Sequence, residues 1–167
     1  MGINAGTLEL RQNVRAVLLS PRQRILMMKL REPVSKREFW ITPGGSARAG
    51  EGDAEALRRE LREETGRQGL SVGPLLWTRE MTYTWDGHTV GQFERYYLVE
   101  TEEFEAAMAD DPASGEVRAF RGFRWWSADE IGTSGERFGP REIADLLRTL
   151  VRDGLPPEPV SLGRRTA

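Results

Sequence analysis

Residues 44–66 read GGSARAGEGDAEALRRELREETG and place five glutamates and four arginines in one short stretch. A helical period runs from about Asp53 to Glu64, with Asp53 as N-cap and Gly66 as the stop. At about 100° per residue, Ala54, Leu57 and Leu61 fall within about 60° of one another and form an apolar stripe. Arg58, Arg62 and Glu55 lie on the opposite, wet side. Glu60, Glu63 and Glu64 share one side at spacings i, i+3 and i+4. Glu64 projects only about 20° from Leu57, at the edge of the stripe.

A solvated, salt-bridged helix face accounts for many glutamates and arginines, because such helices are common. A cage for a divalent cation accounts for their clustering. Like charges at these spacings repel by roughly 0.2–0.5 kcal/mol per pair, and burial raises the cost. A bound cation reverses its sign. From the helix alone, both readings stand.

The remainder of the chain narrows the setting. Its 167 residues suit one domain, long enough to bury roughly 70% of the unfolded surface. A net charge of −2 advertises neither a nucleic-acid polymer nor an anionic membrane as partner. There are no cysteines, so disulfides, thiolate metal sites and a cysteine nucleophile are excluded. No apolar run approaches the ~20 residues that span a bilayer, and the opening residues lack an apolar signal core. A cytoplasmic location is expected.

Residues 13–20 and 24–30 read as strands joined by a turn at Ser20-Pro21-Arg22-Gln23. Residues 38–42 form a short strand that stops at Pro43, Gly44 and Gly45. Asp86-Gly87 signals a two-residue hairpin between 72–85 and 88–100. Residues 119–127 read as a further strand. Residues 139–154 form an amphipathic helix with Ile143, Leu146, Leu147, Leu150 and Val151 at helical spacing. Strands before, between and after two helices predict one α/β domain over 13–152, a mixed sheet covered by helices. Residues 1–12 precede it, and 153–167 read as a loose tail.

The residues before the helix extend the argument. Gly44-Gly45 ends a strand and can bring bare backbone close to a ligand. Gly45, Glu51, Arg59, Glu60, Leu61, Glu63, Glu64 and Gly66 together spell G-x5-E-x7-R-E-U-x-E-E-x-G, with U aliphatic. This resembles the Nudix box, and the chain is similar to Nudix hydrolases from about Asn13 to Arg152. FWITPGG resembles the strand that leads into the box, and RWWSADEI a common element near the family's C-terminus. The one departure is Arg67, where the family usually has an aliphatic residue.

The resemblance implies an α/β/α sandwich around a mixed β-sheet and hydrolysis of a phosphoric anhydride bond in a nucleoside diphosphate derivative. A nucleoside triphosphate, a dinucleoside polyphosphate and a nucleotide sugar all qualify as the small-molecule substrate. It implies Mg²⁺ or Mn²⁺ held by Glu60 and Glu64, with Glu63 as ligand or water-orienting base and the Gly44 carbonyl completing the shell. Arg59 orients the carboxylates, Glu51 lies near them, and Gly45 lets substrate approach. A later glutamate often acts as base or ligand, a place that Glu116 fits best and Glu94 second. Tyr83 matches a tyrosine of dinucleoside polyphosphate hydrolases. The alternative is a catalytically silent Nudix-fold binding module. A monomer and a homodimer are both compatible.

Other polar residues have plainer readings. Glu116 and Glu94 are ordinarily solvated charges. His88 is an exposed strand residue, since one histidine cannot build a histidine-based metal site. Trp40, Trp77, Trp85, Trp125 and Trp126 are core or sheet-face residues, one or two of them able to stack a base. Arg15, Arg31 and Arg79 are candidates for phosphate contact.

Overall fold

Alternation along RQNVRAVLL sends Val14, Ala16 and Leu18 to one face of a strand and Val17 to the other, and both faces are covered. In the computed structural model, which describes residues 8–108 and 118–167, this strand is β1 (Arg11–Leu19), central in a nine-stranded mixed sheet among the described residues. The others are β2 (Arg24–Arg31), β3 (Glu38–Ile41), β4 (Gly44–Ser46), β5 (Leu75–Trp85), β6 (His88–Glu100), β7 (Phe120–Ser127), β8 (Phe138–Gly139) and β9 (Val160–Thr166). The path runs β8-β3-β2-β1-β6-β5-β9, with β4 also paired to β1 and β7 to β2. Among the described residues three helices accompany it: α1 (Asp53–Thr65), α2 (Ala128–Thr133) and α3 (Ile143–Asp153).

Strands β1 and β2 pair only at Leu19 and Ile25 and then diverge. Beyond that point β1 takes β4 on its vacated edge, and β2 takes β3. The turn between β3 and β4 therefore lies in the gap between the splayed strands, which is where α1 begins its approach.

The two faces have separate cores. Val14, Ala16, Leu18, Leu26 and Val99 meet Ala56, Leu57 and Leu61 of α1. Val17, Ile25, Met27, Trp40, Trp77, Tyr96 and Trp126 meet Ile131 of α2 and Ile143, Leu147 and Leu150 of α3. Each fully buried leucine contributes roughly 1.5–3 kcal/mol. Helices on both faces of a mixed sheet in one domain are the architecture expected from the sequence.

Five local expectations need correction. Gly44–Ser46 does not simply end a strand; it pairs with Asn13–Arg15 as β4. Asp53 does not cap α1: Gly52 is the N-cap, without a side-chain bond. The Asp53 carboxylate instead accepts from Arg95 Nε and Nη2, 2.7 and 2.8 Å, and from the Tyr97 hydroxyl, tying the helix start to β6. The buried stripe uses Ala56 rather than Ala54. A third helix, α2, follows Ser127. The supposed loose tail forms β9, parallel to β5 from Trp77–Val160 to Thr82–Thr166. Its side chains are mostly exposed, and only Leu162 packs on the core, so backbone pairing rather than burial holds it.

A buried carboxylate fastens the far end of the sheet. Glu32 accepts backbone N–H bonds from Val34, Ser35 and Asp86, joining the β2–β3 turn to the hairpin tip. The Ser35 bond leads in holding its pKa down to about 2, against opposing desolvation, with Asp86 and Val34 helping. A depressed carboxyl contributes stability that is present above its unfolded value, about 4.3, and is lost as pH falls through the folded one. A side-chain NMR titration of Glu32 is expected to give a midpoint near 2; a midpoint near ~4.3 would refute the clasp.

Candidate functional site

The site begins with two glycines that bring backbone and carboxylates together. Gly44 has φ +147, and a Cβ there would lie 2.0 Å from the Val14 carbonyl oxygen. Its neighbour Gly45 makes room for Glu60, whose carboxylate carbon would be 2.7 Å from an added Cβ. The Gly44 N–H donates to Glu64 Oε2 at 2.8 Å. Glu64 is 4% exposed and sits beside the Leu57–Leu61 stripe, as its angular position implied.

Arg59 fills the space between the other carboxylates. Its Nε and Nη2 donate to the two oxygens of Glu51, both at 2.8 Å, and Nη2 also reaches the Ser46 carbonyl at 3.0 Å. Nη1 donates to Glu60 Oε1 at 2.9 Å and Glu63 Oε2 at 3.4 Å. The Arg59 bond is the main cause holding the Glu51 carboxyl down to about 2, aided by the Arg48 N–H. The Glu51 bond in turn raises the Arg59 guanidinium above its ordinary value. Arg48 stands 3.6 Å from Glu63 with its side chain largely in solvent.

This arrangement is not a solvated charge face. Side-chain exposure is 12% for Glu60 and 43% for Glu63, so only Glu63 meets water freely. Glu55, Arg58 and Arg62 do lie on the wet side. Three carboxylates share one guanidinium, and a fourth is buried behind them. An excess of negative charge in a partly desolvated place is what a divalent cation offsets. Among the described residues no ready cage of three or more metal-ligating groups converges; Arg59 lies between Glu60 and Glu63. The oxygen-only donor set and the carboxylate cradled over Gly45 nevertheless fit a hard cation such as Mg²⁺ or Mn²⁺.

Glu94 lies 2% exposed in a polar network, so the reading of it as a solvated charge is wrong. It accepts from Arg15 Nε (3.1 Å), Arg79 Nε (2.7 Å), Gln92 Nε2 (2.7 Å) and the Tyr96 hydroxyl (2.6 Å). Burial opposes its ionisation, but Arg15 and Arg79 hold its carboxyl below the ordinary range. Arg15 Nη1 continues to the Thr42 and Gly44 carbonyls at 3.4 and 3.3 Å, linking the network to the box. Tyr83 sits at the other end, its hydroxyl donating to Gln92 Oε1 at 3.2 Å. Asn13 bridges Gln92 and the Ser46 hydroxyl.

The remaining candidates are sorted by their surroundings. Arg79 is 6% exposed and committed to Glu94, and so is not a phosphate contact. Trp40, Trp77 and Trp126 are core residues, and His88 is an exposed strand residue. Trp125 packs on the α1 side with its indole N–H on the Phe104 carbonyl, 3.0 Å away. Arg67 stacks over the Phe104 ring at 5.3 Å, where an aliphatic side chain was expected. Glu116 lies outside the described residues. Asn13 and Gln92 were missed, because short polar residues on strands carry no local signal.

Comparison with known proteins follows the same lines. The model of the NUDIX domain matches residues 9–147. The solution structure of the E. coli ORF135 protein is 21% identical with a TM-score of 0.59, covering 92% of this chain and 98% of that one. The E. coli dihydroneopterin triphosphate pyrophosphohydrolase is 16% identical with a TM-score of 0.59, covering 87% and 99%. A C. elegans Ap4A hydrolase in a binary complex is 16% identical with a TM-score of 0.57, covering 85% and 96%. At these identities the likenesses speak for the fold. No curated protein matches the sequence.

Proposed function

The chain belongs to the Nudix family, and from that premise we propose that it is a divalent-cation-dependent pyrophosphohydrolase acting on a small nucleotide derivative. The observation that carries this reading is the group Glu51, Glu60, Glu63 and Glu64 gathered on Arg59 and Gly44, with Glu64 buried. A silent binding module has no use for that concentration of charge. Solved relatives in fold include proteins named for dihydroneopterin triphosphate and Ap4A. The substrate classes proposed here are nucleoside triphosphates, dinucleoside polyphosphates and nucleotide sugars.

Glu60 and Glu64 would hold Mg²⁺ or Mn²⁺, which supplies charge neutralisation on the pyrophosphate and acidifies water. Glu63, the most exposed of the three helix carboxylates, takes the proton as water attacks phosphorus. One P–O bond forms, the bridging P–O bond breaks, and the leaving phosphate keeps the electron pair. Arg59 fixes the carboxylates between turnovers. A panel of nucleoside triphosphates, dinucleoside polyphosphates, sugar nucleotides and ADP-ribose, assayed for phosphate release with Mg²⁺ or Mn²⁺, tests this. Release that survives chelation, or none on any substrate, overturns it.

The cation should also stabilise the fold, because it offsets repulsion present only in the folded state. At a hundredfold excess over Kd the gain is about 2.7 kcal/mol. A thermal melt with millimolar Mn²⁺ is expected to move upward, and an unchanged melt would count against the cluster as a cation site.

A further inference from the structure

We infer that Arg15 is a positioning residue for the cation site, holding the peptides on either side of the Pro43–Gly44 bond so that Glu64 and the Gly44 carbonyl are presented together. The inference rests on the reading of Glu60 and Glu64 as cation ligands. Its basis is the set of bonds around residues 42–44. Three successive carbonyls are drawn toward β1: Thr42 and Gly44 by Arg15 Nη1, and Pro43 by the Ala16 N–H at 2.8 Å. With all three held on that side, the Gly44 N–H is turned toward α1, where it meets Glu64. The Pro43–Gly44 peptide thus carries the Ala16 bond on its oxygen and the bond to the buried carboxylate on its nitrogen, and Arg15 Nη1 holds the carbonyls of the peptides on either side of it.

A purely structural role for Arg15 leaves this unexplained. Arg79 engages Glu94 Oε2 through both Nε and Nη2, 2.7 and 2.6 Å, so Glu94 already has a counter-ion. Arg15 adds a second cation on the other oxygen and also reaches the two turn carbonyls. Arg15 is 9% exposed, which holds its guanidinium in one orientation. The planar fork matters: it spans a carboxylate and two carbonyls at once, which a single ammonium cannot do with the same geometry. A carbonyl has two acceptor positions, so the Arg15 bond orients Gly44 without using up its oxygen.

Outer partners of metal ligands change cation affinity by roughly 10–100-fold when removed. The test is Mn²⁺ binding to the full-length protein without nucleotide, read by the EPR signal of free Mn²⁺, for wild type, Arg15→Lys and Glu94→Gln. Arg15→Lys keeps the charge beside Glu94. Glu94→Gln keeps Arg15 but loosens its anchor, and a melt confirms which variants are folded at the assay temperature. Mn²⁺ affinity is expected to fall at least about tenfold in either folded variant. The Mn²⁺ concentration for half-maximal turnover should rise in parallel, with much of the rate recovered at saturating metal. Wild-type affinity in a folded variant, or a lower plateau at an unchanged Mn²⁺ midpoint, overturns the positioning role and leaves the hydrolase reading intact. Wild type failing to bind Mn²⁺ overturns both.

Discussion

Glu64→Gln is expected to lower metal-dependent turnover by about 10²–10⁴, the range for losing a positioned catalytic group, while the protein stays folded. Glutamine keeps the size of glutamate and still offers a carbonyl oxygen to the Gly44 N–H, now 2.8 Å from Oε2. What disappears is one negative charge in a place 4% exposed. Removing it relieves desolvation and repulsion, so the melting temperature should hold or rise slightly. Glu60→Gln should behave alike, although it also loses a charge-assisted bond from Arg59. Glu63→Gln separates roles: turnover lost with Mn²⁺ affinity kept marks a base, and a parallel loss marks a ligand. Equal metal-dependent rates for wild type and Glu64→Gln would sink the hydrolase reading.

Trp126→Ala is expected to cost about 3–5 kcal/mol of stability, the range for deleting a large buried aromatic. Trp126 is 2% exposed between Trp40 and Phe138, with edge-on ring contacts at 5.2 and 5.1 Å, and Arg124 stacks on it at 3.7 Å. Domains are commonly stable by only about 5–15 kcal/mol, so this is a large share. For a chain of this size it lowers Tm by roughly 10 °C. Trp125→Ala should cost less, since Trp125 faces the α1 side and is only half-buried. The Trp126 indole N–H has no hydrogen-bond partner among the described residues, so Trp126→Phe should be milder than alanine. Urea melts of the three variants check the order; equal losses at 125 and 126 would contradict the packing.

What the sequence disclosed was mostly local chemistry. Asp86-Gly87 needs two positive φ values for a tight hairpin, and the angles are 49° and 77°. The period of α3 and the spacing of the box could be read directly, because each follows from neighbouring residues. Helix α2 went unread although its signal is local, Ser127 and Glu130 forming a reciprocal capping box. Strand β9 was not legible, since VSLGRRT has almost no apolar alternation and joins the sheet through its backbone. Glu94 was misjudged for a nonlocal reason: the cations that neutralise it come from β1 and β5. Asp53 resembled a cap until Arg95 and Tyr97, over forty residues on, claimed its carboxylate.

Strand β1 binds the fate of the site to that of the core. Its even positions, Val14, Ala16 and Leu18, lie under α1, and its odd positions Asn13 and Arg15 reach into the polar network. Because side chains alternate, slipping the strand by one residue would send the guanidinium under the helix and a valine among the carboxylates. No partly slipped arrangement keeps one set and loses the other. The carboxylate geometry is therefore as cooperative as folding itself, present in full in the native state and absent once β1 lets go. A register slip of β1 therefore cannot spare the site: the strand that seats α1 is the one that carries Arg15 to the carboxylate network.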